Sequence, residues 1–248
     1  MRPEFWHDRW HAGQIGFHQA QADKNLARHW QDLDLARGSR VFAPLCGKSM
    51  DLLWLRDRGH PVIGVELSAL ALEAFCMENG VPARRRAGQD FDVYLAPNIK
   101  LLCGDYFALT SAELGEVTAV FDRAALISWT PELRAPYVEH LAKLTPPGTE
   151  TLLITLEYPQ TQIAGPPFSV PSSEVARLYG GGYAIRELSR QDVLSSEPRM
   201  RGRGVTELFE VCYRLTRLAT AIAPIVVRRR PQNNSRRHFR LRLHNGWV

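Results

Sequence analysis

Hydrophobic residues from position 40 onward recur in two alternating patterns, short apolar runs and longer segments with helical spacing. The apolar runs predict five strands, at 40–45, 61–67, 98–105, 117–123 and 148–158. The segments with helical spacing predict helices between them, at 48–59, 69–80 and 132–144. Because strands that alternate with helices form parallel sheets, the pattern predicts an α/β fold with a doubly wound, mostly parallel sheet.

Residues at the helix ends support these assignments. Ser68 stands directly before the second helix, where its hydroxyl can accept a hydrogen bond from a free backbone N–H. Pro131 opens the third helix, a position that tolerates proline because its missing N–H would have no partner there. The face of the first helix that packs on the sheet is predicted to be formed by Met50, Leu53 and Trp54.

The chain before the first strand follows a different pattern. Apolar residues at Leu26, Trp30 and Leu33 predict a helix, whereas 11–19, with two glycines and no clear period, predicts a loop. We therefore expect residues 1–38 to form an N-terminal segment that lies over the sheet.

Three further segments interrupt or follow the alternation. Residues 84–98 predict a surface hairpin, and the four prolines of 159–171 predict an irregular loop. Two late apolar runs, 183–189 and 207–215, predict an antiparallel C-terminal edge of the sheet, with a long basic loop at 196–204 between them.

The formal net charge of +5 comes from one end of the chain. Residues 219–248 contain seven arginines and no acid, and removing them from the 31 Lys and Arg leaves 24 against 26 acidic residues, a net charge of −2. We therefore predict a single domain over 1–218 and a disordered basic tail at 219–248. Such a tail can contact phosphate backbones, so a nucleic-acid-binding protein is the non-enzyme alternative, although we expect no nucleic-acid partner.

Composition excludes several classes of protein. The 45% hydrophobic content supports a sizeable core, yet no run approaches the roughly 18–20 apolar residues of a membrane span. The N-terminal residues lack the apolar stretch of a secretory signal, so we expect a cytoplasmic protein with no membrane partner. The four cysteines are widely spaced, which argues against a zinc site, and we predict no metal.

Polar side chains follow the predicted strands at the edge where a doubly wound sheet binds its ligand. Glu66 ends the second strand 19 residues after Gly47, an offset at which an acid can bind both ribose hydroxyls of a nucleoside. Asp105 and Arg123 follow the third and fourth strands. Plainer interpretations stay open: Glu66 as an acid that stabilises a helix start, Asp105 as a turn residue, and Arg123 as the partner of Asp122.

A turn with a single glycine joins the first strand to its helix. Pyrophosphate loops usually carry two or three glycines, because their backbone amides approach the phosphates closely. Here Pro44 has no N–H and Leu45 projects a side chain beside Gly47. The turn therefore suits a nucleoside without phosphates, such as S-adenosylmethionine. A nicotinamide dehydrogenase shares the strand–turn–helix unit and the acid spacing, so it stays open as an alternative.

Four segments in combination resemble the thiopurine S-methyltransferase family, in particular its bacterial members. They are WHDRWHAGQIGFHQ at 6–19, RVFAPLCGKSMDLLWLRDRGHPVIGVELS at 40–68, FDRAALISW at 121–129 and GPPFSVP at 165–171. The resemblance extends from about residue 6 to residue 218. It implies the Rossmann-like fold of class I methyltransferases, S-adenosylmethionine as cofactor and a small aromatic or heterocyclic thiol as acceptor.

The resemblance also implies roles for residues at matching positions. The residues expected to bind the methyl donor are Trp6, Trp10, Leu45, Gly47, Glu66, Asp105, Tyr106 and Arg123. The residues expected to position the thiol are Phe17, Arg123 and Arg199. Among them Glu66 would bind the ribose, and Asp105 and Tyr106 would lie beside the adenine. Without the resemblance, Trp6 and Trp10 fit the core-facing side of a helix equally well.

The implied reaction is an in-line displacement in which the protein mainly aligns thiolate and methyl group and excludes water. We therefore predict no dedicated general base, and we expect the positive charge of Arg123 to favour the thiolate form of the acceptor. The N-terminal segment and the loop 165–171 are expected to close over the site. The resemblance also implies a monomer, and acceptors that include selenium or tellurium species.

Overall fold

The computed structural model describes residues 3–219, which contain a nine-stranded sheet flanked by helices. The strands are β1 (Val41–Ala43), β2 (Val62–Glu66), β3 (Arg84–Arg86), β4 (Asp92–Ala96), β5 (Ile99–Cys103), β6 (Ala119–Arg123), β7 (Glu150–Glu157), β8 (Tyr183–Asp192) and β9 (Phe209–Arg217). The helices are α1 (Pro3–His11), α2 (Lys24–His29), α3 (Asp51–Asp57), α4 (Ala69–Glu78), α5 (Ser111–Leu114), α6 (Pro131–Leu144), α7 (Ser172–Tyr179) and α8 (Pro198–Gly202).

The strand order is β3-β4-β5-β2-β1-β6-β7-β9-β8, and the five central strands from β5 to β7 are parallel. The chain proceeds outward from β1 to β2 and β5, then returns to the other side of β1 to add β6 and β7. The point between β1 and β6 is thus the topological switch point, where loops leave the sheet in opposite directions and open a crevice. The predicted doubly wound α/β fold is confirmed.

Antiparallel strands flank this parallel centre on both sides. The predicted C-terminal edge is confirmed, since β9 pairs antiparallel with β7 and β8 pairs with β9. The hairpin predicted at 84–98 forms as β3 and β4, but it is not a separate surface feature. Because β4 also pairs antiparallel with β5, the hairpin extends the main sheet and forms its opposite edge.

Capping residues in the sequence predicted the helix starts better than the spacing of apolar residues did. Ser68 caps α4 by accepting the N–H of Ala71, as predicted. The predicted core face of α3 is wrong: the helix begins only at Asp51, and its buried apolar residues are Leu52 and Leu55. The turn preceding α3 uses more residues than expected, which rotates Met50, Leu53 and Trp54 to half-buried positions.

Two other segments differ from their predicted form. The basic loop predicted at 196–204 contains α8, which buries the side chain of Met200. Leu26, Trp30 and Leu33 of the N-terminal segment are buried against the sheet, so this part of 1–38 belongs to the core. What remains over the carboxyl ends of the strands is α1 and the loop that follows it.

Both faces of the central sheet are buried. Phe42 and Val120 pack into one apolar cluster, while Val41, Ala119 and Phe121 pack into the cluster on the opposite face. Burying a side chain of this size stabilises the fold by about 1.5–3 kcal/mol. Strand ends that emerge from such a core are held rigidly and present the residues that follow them in defined positions.

Among the described residues, no helix is both long and apolar enough to cross a membrane. All but the first residue of the basic tail predicted at 219–248 lie outside the described part of the chain.

Candidate active site

A cavity of about 1100 Å³ opens at the carboxyl ends of the parallel strands. We call its two sides the β2 end, lined by Leu45, Glu66 and Asp105, and the β9 end, lined by Leu156, Arg199 and Glu210. In the sheet order Arg123, at the end of β6, lies between them. Every predicted site residue lines this cavity except Gly47.

The β2 end is built around Glu66, which is buried at the end of β2. One carboxylate oxygen accepts the N–H of Gly47 at 2.9 Å, and the other accepts the N–H of Ser68 at 2.9 Å. Burial raises the pKa of Glu66, although these backbone hydrogen bonds oppose the shift. Because each oxygen has a second lone pair, Glu66 can still accept hydrogen bonds from a ligand in the cavity.

The turn after β1 has an unusual backbone. Leu45 has a φ of 47° and Gly47 a φ of 54°, both in the left-handed region. A left-handed leucine is strained and is found mainly where a site requires it. The turn thereby directs Leu45 to the cavity, while the N–H of Gly47 points at Glu66. Gly47 contributes through this hydrogen bond and does not line the cavity, unlike the other residues expected to bind the methyl donor.

Three aromatic side chains of the N-terminal segment pack together next to the turn after β1. A Cβ atom added to Gly47 would lie 3.2 Å from the ring of Trp10, so a side chain at this position would crowd the indole. Phe17 packs edge-on against Trp10 and Trp6, with ring centroids 5.6 and 6.1 Å apart. Both tryptophans lie on α1 and line the cavity, so their helical spacing serves the cavity wall.

Asp105 and Tyr106 follow β5 at the β2 end. Asp105 is exposed and caps a short 3-10 turn by accepting the N–H of Phe107 at 2.9 Å. Tyr106 is buried and donates its hydroxyl to the carbonyl of Tyr137. Phe107 stacks near Trp129, with ring centroids 5.4 Å apart, and both rings line the cavity. This wall is therefore aromatic, with one carboxylate at its rim.

Arg123 is bound by two carboxylates from outside its own strand. Its Nε donates to Asp23 at 3.0 Å and its Nη1 to Asp51 at 3.4 Å, while Nη2 donates to the carbonyl of Phe17 at 3.4 Å. Burial raises the pKa of Asp51, and the charge of Arg123 opposes that shift. The alternative pairing of Arg123 with Asp122 is wrong. Arg123 instead ties the N-terminal segment to the switch point of the sheet.

Asp122 has a separate role beneath the cavity. It is fully buried, accepts the hydroxyl of Tyr137 at 2.7 Å and accepts the N–H of Leu126 at 3.1 Å. Burial raises its pKa to about 6. Ala124, which lies between Asp122 and Leu126 in the chain, has a φ of 63° and lines the cavity. Asp122 thus stabilises a strained turn that presents Arg123 and Ala124 to the ligand space.

The β9 end is assembled from segments that are far apart in the chain. Arg199 on α8 donates Nη1 to the carbonyl of Gly16 at 2.6 Å, which joins α8 to the loop after α1. Pro166 of the loop at 165–171 and Leu156 of β7 complete this wall. No carboxylate among the described residues lies within 4.0 Å of Arg199, so its charge is not neutralised by an ion pair.

Sequence reasoning missed three acids of the site. Asp51 is the first residue of α3 and Asp23 caps α2, and an acid at a helix start gives no indication in the sequence of a distant arginine partner. Glu210 occupies an ordinary strand pattern on β9, and nothing local marks it as a cavity residue. Cys46 is buried beside Gly64, and burial raises the pKa of its thiol well above the usual range, so it packs as a small hydrophobe.

The β2 end fits a nucleoside that carries a positive charge. Glu66 offers free lone pairs, and Asp105 adds a second carboxylate at the rim of this end. The cavity exceeds the roughly 300–1,000 Å³ of a pocket for one drug-sized ligand, which leaves room for a second small molecule. Within residues 3–219, no three His, Cys, Asp or Glu side chains are grouped to bind a metal ion.

Comparison with known sequences shows the family of the chain. The family model described as thiopurine S-methyltransferase matches residues 1–218. A thiopurine S-methyltransferase of Nitrosospira multiformis is 48% identical over 215 residues, covering 87% of this chain and 98% of the relative. One from Pseudomonas fluorescens Pf0-1 is 47% identical over 215 residues, covering 87% and 99%.

Solved structures agree on the fold. A SAM-dependent methyltransferase from Thiobacillus denitrificans, in complex with S-adenosyl-L-homocysteine, has a TM-score of 0.57 at 18% identity, covering 85% of this chain and 98% of that one. A 1,6-didemethyltoxoflavin N1-methyltransferase from Burkholderia thailandensis also has a TM-score of 0.57, at 16% identity, covering 86% and 87%.

The dehydrogenase alternative is thereby rejected, because the family match spans the whole described domain and the family transfers methyl groups. The chain belongs to the thiopurine S-methyltransferase family and is a methyltransferase that uses S-adenosylmethionine.

Proposed function

We propose that this enzyme methylates the sulfur of small aromatic or heterocyclic thiols, thiopurines among them. The observation that carries the proposal is the division of one cavity into two unlike ends. The β2 end offers the carboxylates of Glu66 and Asp105 to a cationic nucleoside, and the β9 end offers apolar walls with the unneutralised Arg199 and one carboxylate, that of Glu210. Such an end favours a flat apolar acceptor that carries negative charge on sulfur.

At the β2 end, Glu66 would accept hydrogen bonds from the ribose, and the rings beside Asp105 would contact the adenine. When bound there, S-adenosylmethionine supplies an activated methyl group on a sulfonium. Asp23 and Asp51 provide the negative potential that stabilises a positive charge nearby. Phe17, Arg123 and Arg199, the residues expected to position the thiol, line the same cavity.

The structure changes what Arg123 is expected to do. Its charge is compensated by two carboxylates, so its effect on an acceptor thiol is weaker than that of an unpaired arginine. We therefore assign stabilisation of the thiolate mainly to Arg199, with Arg123 orienting the N-terminal segment. The latter role follows from its bonds to Asp23 and to the carbonyl of Phe17.

Exclusion of water is the second task of the protein in a displacement reaction. Trp6 and Trp10 on α1 border the cavity from one side, and Pro166 and Pro167 border it from another. We propose that both segments close over the bound ligands. The hydrogen bond from Arg199 to Gly16 then links closure of the N-terminal loop to α8.

The test is an assay of the full chain with methyl-labelled S-adenosylmethionine and a panel of acceptors. The panel contains 6-mercaptopurine, 4-nitrobenzenethiol, an alkyl thiol of similar size, and phenol and aniline as oxygen and nitrogen controls. We expect label transfer to the two aromatic sulfur acceptors at rates well above those of the alkyl thiol, phenol and aniline. Equal or faster transfer to phenol or aniline would contradict the proposal.

Selenite and tellurite belong to the same panel, since methylation of selenium or tellurium species is part of the proposal. A cytoplasmic location and a monomeric state complete it. Size-exclusion chromatography with light scattering of the full chain measures the oligomeric state, and cell fractionation of the source organism measures the location.

A further inference from the structure

Glu210 is a carboxylate on the wall of the β9 end that the proposed mechanism does not use. It is the second residue of β9 and lies opposite Leu156 of β7 in the sheet register. Both residues line the cavity. Only 15% of the Glu210 side-chain surface is exposed, so the carboxylate is largely shielded from bulk solvent.

The two oxygens of this carboxylate have different surroundings. Oε2 accepts a hydrogen bond from Nδ2 of Asn25 at 2.5 Å and lies 3.6 Å from Nζ of Lys24. Within residues 3–219, no protein donor is hydrogen-bonded to Oε1. Asn25 is itself buried at the start of α2, so the carboxylate is held by one oxygen while the other is free.

Three charged groups act on Glu210. Burial raises its pKa, and the charge of Asp23 raises it further, while Lys24 on α2 and Arg123 on β6 oppose the shift. Lys24 is half-exposed to solvent, which weakens its effect. A carboxylate with a raised pKa is a stronger proton acceptor than an exposed one.

Simple thiols carry their acidic proton on sulfur, whereas heterocyclic thiols can carry it on a ring nitrogen. In many of them the neutral form is a thione, with a C=S bond beside a ring N–H. Methylation of the thione sulfur leaves a positive charge on the ring unless the N–H proton departs. A free carboxylate oxygen at the acceptor end of the cavity is placed to receive that proton.

We propose that Glu210 is a catalytic residue for acceptors of this kind. Its free oxygen accepts a hydrogen bond from the ring N–H and takes the proton as the sulfur is methylated. The inference rests on the proposed function, since it presumes that heterocyclic thiols bind at the β9 end. It also changes the prediction from sequence that no general base is needed.

The step balances in atoms and charge. The bond between the donor sulfonium and the methyl carbon breaks, and its electron pair stays on the donor sulfur. A lone pair of the acceptor sulfur forms the new S–CH₃ bond, the pair of the C=S π bond moves onto that sulfur, and the N–H pair becomes the new C=N π bond. The proton ends on Glu210, which becomes a neutral acid and later releases the proton to solvent.

The test compares two acceptors in the Glu210→Gln variant of the full chain. The first, 6-mercaptopurine, carries a ring N–H, and the second, 4-nitrobenzenethiol, ionises readily and has none. A Gln side chain keeps an oxygen for Asn25 but cannot take a proton. We expect kcat/KM for 6-mercaptopurine to fall on the order of 100-fold, mainly in kcat, and that for 4-nitrobenzenethiol to change less than about threefold.

Glu207→Gln is the matched control, because Glu207 is an exposed acid three residues earlier that does not line the cavity. It should leave both acceptors unchanged. Donor affinity, measured by titration calorimetry, reports whether Glu210→Gln is folded. If that variant fails to fold, Glu210→Asp keeps a carboxylate at a shorter reach, and we expect a smaller loss, still confined to 6-mercaptopurine.

Equal losses for both acceptors in a folded variant, or no loss for either, would overturn the role of Glu210. These results differ from failure of the proposed function itself. In that case the wild-type enzyme would methylate neither acceptor, whatever residue stands at 210.

Discussion

The two ends of the cavity are built in opposite ways. At the β2 end, Glu66 ends a parallel strand, Leu45 and Asp105 lie two residues after the ends of two others, and backbone N–H groups hold the Glu66 carboxylate. At the β9 end, Leu156 and Glu210 lie on paired antiparallel strands, but Arg199 and Pro166 come from a short helix and a proline-rich loop. A side-chain hydrogen bond from Arg199 to Gly16 joins that helix to the loop after α1.

The difference matches the tasks of the two ends. A ligand bound at strand ends meets groups whose positions are set by a core worth many kcal/mol, so recognition of one fixed nucleoside fits there. Loops and short helices with few ties can change shape and composition without disturbing the sheet. We therefore expect the acceptor range to be set at the β9 end and the donor to be recognised at the β2 end.

The largest expected effect is at Arg123, which joins the two ends. Arg123→Ala leaves the buried carboxylates of Asp23 and Asp51 without their partner, so the free energy of unfolding should fall by about 3 kcal/mol. Urea denaturation measures this loss, and the added change Asp51→Asn should restore part of it. Arg86→Ala, at an exposed arginine on β3, is the control. A loss below about 1 kcal/mol would contradict the view that Arg123 and its two carboxylates hold the two ends of the cavity together.

Glu66 should affect the β2 end alone. Glu66→Ala removes the acceptor of two backbone N–H groups and of the expected ribose bonds, so donor affinity should fall about 100-fold. Titration calorimetry with S-adenosylmethionine measures it, with Glu73→Ala on the exposed side of α4 as control. If donor affinity stayed within a few-fold of wild type, the ribose assignment would be wrong.

Asp122, beneath both ends, predicts a pH dependence of stability. Its pKa is about 6 in the folded protein and near 3.8 when unfolded, so the folded state binds the proton more tightly. Its contribution to the free energy of unfolding is full below about pH 4 and falls as pH rises to about 6, by on the order of 2 kcal/mol. Asp51, Glu66 and Glu210 change stability in the same direction.

Denaturation of wild type and Asp122→Asn at pH 4.5 and 7 isolates this group. Relative to wild type, the variant should gain stability between the two values, because asparagine has no proton to lose. The pairing with Tyr137 stays possible, since an amide can bond the phenol hydroxyl. A constant difference between wild type and variant would show that Asp122 titrates normally.

The smallest expected effect is at Arg199 and belongs to the β9 end. Arg199→Ala should lower kcat/KM for 6-mercaptopurine about tenfold, since one charge-assisted contact to sulfur is lost, and leave donor affinity unchanged. A comparable loss of donor affinity would contradict the division of the cavity.

Gly16→Ala sharpens this result. An added Cβ atom would lie 1.7 Å from the Arg199 guanidinium, which would have to swing away from the loop. The acceptor should lose a few-fold in kcat/KM, and the double variant should lose no more than Arg199→Ala alone.

The fold was largely readable from the sequence because local signals and tertiary packing agree. Ser68 and Pro131 mark helix starts through hydrogen bonding that depends only on neighbouring residues. The core face of α3 was misassigned because the length of the turn before Asp51 decides the phase of the helix. The β3–β4 hairpin was recognised, but its pairing with β5 is a long-range contact that no local pattern encodes.

The chain by itself determined the strand–helix alternation, the acid at the end of β2 and the family motifs, because each depends on residues close together in sequence. Only the tertiary structure decided that Asp23 and Asp51 compensate Arg123, that Gly47 acts through Glu66, and that Glu210 lines the β9 end of the cavity. The first two kinds of contact join residues that are 19 or more positions apart. Their geometry is set by how the sheet brings β2, β6 and β9 to one edge, which apolar periodicity does not specify.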